Sequence, residues 1–221
     1  MTLQLFVHPF SSYSWKVLIP LWADGTNFTY RNIDNGHPDE PANAAILKRH
    51  SPFGQFPLLL DGETAIFEST PIIDYLAAHY PSPSRWIPDG DAGLRTRLLD
   101  RFFDLHLMSH AQKIVGDVLR PEEKRDPFGV ERARASLHIA YDWLETNVGD
   151  GPWAVGDTFT LADCAAAPAL FYADWIEPIG PSRPRLAAYR ARLLAHPPVA
   201  RAVDEARPYR AYFPLGAPDR D

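Results

Sequence analysis

Cysteine is almost missing from this chain: Cys164 is the only one among 221 residues. A single thiol excludes an intrachain disulfide and any zinc site built on several cysteines. No apolar run comes near the roughly 18 residues of a membrane-spanning helix. No basic segment or long apolar stretch precedes Leu3–Val7, which reads as a strand at once, as expected of a cytoplasmic protein. Positive charge is also short. Lys and Arg number 22 against 28 Asp and Glu, and the balance of −6 argues against nucleic acid or an anionic membrane as partner. There is no internal repeat and no low-complexity segment.

Proline is abundant instead, with 22 residues, about twice the usual share of roughly 5%. The prolines gather at 81–88, 178–184 and 197–198, where they punctuate helices. Apolar residues at 46% and charged residues at 23% describe an ordinary globular protein, long enough for one large or two modest domains. Leu3–Val7, a helix from about Ser12, Phe28–Ile33, a short helix over Pro38–Lys48, a hairpin and a further helix give the thioredoxin-like order of an α/β domain over residues 1–80. Residues 81–91 read as a linker. From 92 to 221 only helices are expected, so the second domain is all-α. Its long first helix, Ala92–Leu119, places Leu94, Leu98, Phe102 and Leu105 on one face, with Leu99 and Phe103 beside it. Phe128–Val148 repeats the pattern. Thr160 and Asp163 have the spacing of a capping box, and Cys164 behind them reads as core.

The stretch from Ser51 to Leu76 is the most informative. Pro57–Leu60 and Thr64–Phe67 are strands around an Asp61-Gly62 turn, and Ser69-Thr70-Pro71 opens a helix with a capping hydroxyl. A cis bond at Phe56–Pro57 would leave the Phe56 backbone as a free edge for an extended peptide. Glu68-Ser69 stands at a helix N-terminus, where amides and dipole favour a carboxylate. Together they describe a site for a small acidic peptide.

Gln55-Phe56-Pro57, Asp61-Gly62 and Phe67-Glu68-Ser69-Thr70-Pro71-Ile72-Ile73-Asp74-Tyr75-Leu76 resemble the glutathione-binding half of the cytosolic glutathione S-transferases. The order of a thioredoxin-like and then a helical domain extends the resemblance over nearly the whole chain. It implies a detoxifying transferase with glutathione as co-substrate, acting as a homodimer. Phe56 and Pro57 would then meet the cysteinyl part of glutathione, Glu68 and Ser69 the γ-glutamyl end, and Gln55, with His37, the glycine end. An acid such as Asp100 or Asp104 would reach the other subunit's glutathione.

Ser11-Ser12-Tyr13-Ser14-Trp15-Lys16-Val17 is most similar to the serine-rich stretch of the zeta class, with Tyr13 standing where that class has cysteine. Thioredoxin-like redox proteins carry a CxxC here, and without cysteines thiol–disulfide exchange is excluded. A hydroxyl at a helix N-terminus can donate to another molecule's thiolate and lower its pKa. Carried over from the resemblance, Ser11 has this role, with Ser12 in reserve and the Tyr13 phenol as an alternative hydroxyl. The same serines can simply cap the helix. The electrophile pocket is expected between the domains, from Phe10, the inner face of 92–119 with His106 and His110, and Tyr209, Tyr212 and Phe213. A metal at His106 and His110 is rejected, since no third ligand is evident and Leu107 holds the place of a zincin glutamate. Glutathione-dependent isomerisation of zeta type, or binding without catalysis, are the alternatives.

Overall fold

The computed structural model describes residues 3–80, 82–149 and 151–221; Pro81 of the expected linker lies outside them. Strands β1 (Leu3–Val7), β2 (Phe28–Asn32), β3 (Leu58–Asp61) and β4 (Thr64–Phe67) form one sheet in the order β2-β1-β3-β4. β1 pairs with β2 in parallel, and the other two pairings are antiparallel. Alternation along β1 sends Leu3, Leu5 and Val7 to one core and Phe6 to another. The first core receives α1 (Ser12–Ala23) and α3 (Ser69–His79), and the second lies beneath Leu47 of α2 (Glu40–His50). This is a thioredoxin-like mixed sheet followed by a helical domain.

Two local readings change. The hairpin turn is Gly62-Glu63, because Asp61 still pairs with Thr64, and Gly62 adopts φ +60°. Asp61 instead accepts the hydroxyls of Tyr75 (2.9 Å) and Tyr80 (2.7 Å). Nor does a serine or threonine hydroxyl cap α3. Glu68 is the N-cap residue, at φ 72° and ψ 128°, and makes no side-chain cap bond.

The helical domain comprises α4 (Gly90–Phe102), a π-helical turn (Phe103–Met108), α5 (Ser109–Val118), α6 (Pro127–Asn147), α7 (Leu161–Ile176), α8 (Pro184–Ala195), α9 (Pro197–Ala206) and a 3-10 turn (Arg207–Tyr212). The expected inner face of the long helix is wrong. Leu94, Leu98 and Leu105 are exposed, and Thr96, Leu99, Asp100, Phe103, Asp104 and Leu107 are buried. Periodicity misled because two carboxylates interrupt the buried stripe, and their burial depends on a partner in another domain. Wholly buried α7 runs through the centre, with Pro168 inside it. Its start has both arms of the capping box, and the Asp163 carboxylate also accepts from Ala154 N–H (2.8 Å) and Tyr189 O–H (2.7 Å). Cys164 is fully buried, and burial pushes its thiol up.

Candidate active site

A cleft of about 670 Å³ opens between sheet and helices. Its floor is the start of α1. Ser11 is the N-cap, with extended backbone, and its Oγ accepts the Ser14 N–H at 3.2 Å. Because that oxygen already accepts, the hydroxyl proton remains to be donated elsewhere. Ser12 and Tyr13 also line the cleft. Burial, then Asp104 and Glu68, push the Tyr13 phenol up to about 12, so it stays protonated. The Trp15 indole N–H donates to Pro9 O at 2.6 Å and fastens the loop leading into α1.

One side of the cleft belongs to the sheet domain. Phe56–Pro57 is cis, and Phe56 precedes the first ladder position of β3, so its backbone stands outside the sheet pairing. Gln55, Phe56 and Pro57 line the cleft, as do Glu68 and Ser69 at the start of α3. The positive φ of Glu68, a sparsely populated backbone state for a residue with a Cβ, sits where the helix meets the cleft. His37 does not line it; its Nδ1 accepts the Asp39 amide at 3.2 Å instead.

The other side is apolar. Phe10, Met108, Ala111, Val115, Tyr172 and Phe213 form most of it, and Tyr212 stands at the rim. Tyr172 is nearly fully buried and donates its hydroxyl to Phe10 O at 2.9 Å. The phenol of Tyr172 is pushed well up by burial. His106 and His110 are not part of this wall. His106 is exposed, with its ring 4.9 Å from that of Phe102, and the side of α5 facing the cleft carries Met108, Ala111, Gln112 and Val115. The cause is the π-helical turn, whose extra residue rotates α5 relative to α4. Tyr209 lies behind the wall, edge-on to His8 at 5.1 Å.

The three elements around the cleft meet at one buried ammonium. Lys16 Nζ of α1 lies 2.6 Å from Asp100 and 2.7 Å from Asp104, and donates to Thr70 Oγ1 of α3 at 2.9 Å. Thr70 in turn donates to Asp100 at 2.9 Å. Burial, partly offset by Lys16, raises the Asp104 carboxyl. Both acids are engaged within the chain, so the expected reach of Asp100 or Asp104 to a second subunit is replaced by this internal role.

The family model for the glutathione S-transferase N-terminal domain matches residues 5–84, and that for the C-terminal domain matches residues 127–192. Human glutathione S-transferase theta-2B is 31% identical over 217 residues, covering 88% of this chain and 82% of its own. The chain belongs to the glutathione S-transferase family. A stringent starvation protein A homolog from Coxiella burnetii is 30% identical over 169 residues, covering 76% of this chain and 75% of that protein. A glutathione S-transferase from Methylobacterium radiotolerans, solved with glutathione sulfonate, superimposes with a TM-score of 0.78 at 26% identity, over 92% of this chain and 95% of that one.

Within this glutathione S-transferase fold, sequence reasoning overlooked two residues. His8 lines the cleft; its Nδ1 accepts the Phe10 N–H at 3.0 Å, which leaves Nε2–H to face Asp34 at 3.3 Å. Burial lowers its pKa against the pull of Asp34, so the ring is neutral. A histidine before proline at a strand end has no sequence signature. Lys16 was missed because a lysine among apolar helix residues normally reads as solvent-facing.

Proposed function

We propose that this chain is a glutathione transferase. Glutathione enters the cleft as co-substrate, Ser11 donates a hydrogen bond to its sulfur, and the thiol loses its proton to solvent. The thiolate then attacks a hydrophobic electrophile, forming a carbon–sulfur bond as the leaving group departs with its electron pair. The observation that carries this reading is the Ser11 hydroxyl, whose oxygen is used as a cap acceptor while its proton is free at the N-terminus of α1. One charge-assisted hydrogen bond plus the helix dipole lowers a thiol pKa by about one to two units, each worth about 1.4 kcal/mol. Ser12 is the second hydroxyl within the same turn.

The peptide fits the sheet side in the order the resemblance implies. The Phe56 backbone meets the cysteinyl unit, Glu68 and Ser69 hold the γ-glutamyl end, and Gln55 lies towards glycine. Residues 1–80 then form the glutathione-binding unit and 92–221 the electrophile side; the connection is shorter than the expected 81–91, because Gly90 and Asp91 already belong to α4. The exposed leucines of α4, Leu94 and Leu98, with Leu105 after them, favour a homodimer through that face. We read the role as detoxification and the location as the cytoplasm.

Two other readings have an observation each. The Ser11-Ser12 pair favours a zeta-type isomerase using the same thiolate, against which stands Tyr13 in place of the zeta cysteine. Binding without transfer is the second, raised by a relative that does not bear a transferase name. The deciding experiment is the ultraviolet thiolate spectrum of bound glutathione against pH, for wild type and Ser11→Ala. A depressed thiol pKa that returns towards the free value in the variant is expected. An unshifted pKa in the wild type would leave the binding-protein reading.

A further inference from the structure

The cleft is short of positive charge at the place where its co-substrate has a second negative one. Among its described lining residues there is no Lys or Arg; Glu68 is a carboxylate and His8 is held neutral. Resting on the glutathione reading above, the peptide brings two carboxylates. The γ-glutamyl one meets the start of α3, where Glu68 makes no side-chain cap and the helix dipole is favourable. On that reading the carboxylate of the third residue lies towards Gln55, whose neighbours Ser51, Phe53 and Gly54 also line the cleft.

That end is neutral and partly apolar. The Ser51 hydroxyl accepts the Gln55 N–H at 3.1 Å and keeps its proton to donate, so what this end offers is a neutral donor and no cation. Phe53 stands 75% exposed at the lip and offers the carboxylate neither a cation nor a hydrogen-bond donor. His37 is turned onto the Asp39 amide and does not line the cleft. A carboxylate left in water here keeps its hydration and loses little, and an apolar group in the same place gains the Phe53 ring.

We propose that the site reads the γ-glutamylcysteinyl part of its thiol and not the charge of the third residue. Its co-substrates therefore include γ-glutamyl thiols whose third residue is neutral, esterified or missing, on a par with glutathione.

Isothermal titration of the full chain with four probes tests this: glutathione, its glycyl monoethyl ester, γ-glutamylcysteine, and glutathione acetylated on the γ-glutamyl amine. The first three are expected to bind within about fivefold of one another, the most that an exposed ion pair is worth. The acetylated peptide is expected to bind about tenfold or more weakly, since it loses a charge-assisted contact. A loss of more than about tenfold for the ester or the dipeptide, equal to about 1.4 kcal/mol, would overturn the proposal alone. Undiminished binding of the acetylated peptide would also overturn it, by removing the γ-glutamyl reading. Failure of all four to bind would remove the glutathione reading beneath it as well. As a gain-of-function arm, Phe53→Lys is expected to shift the ratio towards glutathione over its ester by about two- to fivefold. An unchanged ratio would contradict the placement of the third residue at this lip.

Discussion

Lys16 and Asp100 form an ion pair of 2.6 Å in which both side chains are 1% exposed, one from the sheet domain and one from the helical domain. Asp104 shares the same ammonium at 2.7 Å, so the cluster buries two acids on one base. Such a group contributes little net stability when complete and is costly when broken. Its second effect is geometric: it holds α1, the start of α3 and the helix behind the apolar wall in one arrangement.

Replacing Lys16→Met is therefore expected to destabilise the fold by about 3–5 kcal/mol, because two buried carboxylates lose their partner. The triple variant Lys16→Met, Asp100→Leu, Asp104→Leu should recover most of that loss. Urea unfolding of both proteins measures this, and a single variant losing less than about 1 kcal/mol would contradict the account.

Ser11 caps α1, and on the proposed mechanism it also donates to the thiolate; different substitutions separate the two. Ser11→Ala loses the cap and about 1 kcal/mol with it, together with activity. Ser11→Asp keeps a cap acceptor for Ser14 N–H and complements the helix dipole, so it should unfold close to wild type. It offers no donor to a thiolate and adds a negative charge beside it, so turnover should fall at least as far as in Ser11→Ala. Active Ser11→Asp would show that capping, and not donation, is what the reaction needs.

The strained backbone at Glu68 predicts a trade between stability and binding. Glycine adopts positive φ without penalty, so Glu68→Gly should raise stability by about 1 kcal/mol or more. The same change removes a carboxylate from the cleft and should weaken glutathione binding. Thermal unfolding and calorimetric titration on one preparation would register both, and a variant that loses stability would count against strain at this residue.

His8 gives a pH dependence of definite sign. Its folded pKa lies below the ordinary 6.5, so the unfolded chain takes up the proton first as pH falls. The stabilising contribution is complete above 6.5 and is lost as pH drops through the lower folded value. Protonation also removes the Nδ1 acceptor used by Phe10 N–H. His110 and His196 shift in the same direction, so the assignment rests on a difference. The stability of His8→Asn should fall less steeply below that pH than the wild type's, and parallel curves would assign the effect to the other histidines.

The elements legible in the sequence were those whose signals are local. Asp61-Gly62 located the hairpin to within one residue, and Thr160 with Asp163 located the start of α7, because turns and caps are decided by neighbours in the chain. Gln55, Phe56, Pro57, Glu68 and Ser69 on the sheet side of the cleft were legible from the motif around that hairpin, whereas His8 was overlooked and His37 lies outside. What failed was long-range. No pattern within 92–119 reveals that Asp100 and Asp104 turn inward, since their partner lies 84 and 88 residues earlier in the chain, at Lys16. His106 and His110 were misplaced because a uniform 3.6-residue period was carried through a turn that does not obey it.

That π-helical turn makes the apolar wall of the cleft a matter of phase. Each residue of an α-helix advances the side chains by about 100°, so one residue removed between Phe103 and Met108 would rejoin two regular helices while swinging α5 round by about that angle. Met108, Ala111 and Val115 would leave the cleft together, and other side chains of the helix would take their places. Ser11 would stay where it is, since nothing in α1 moves. A single-residue deletion is thus a coarse dial on acceptor preference, one that changes a whole face at once where a substitution changes one contact.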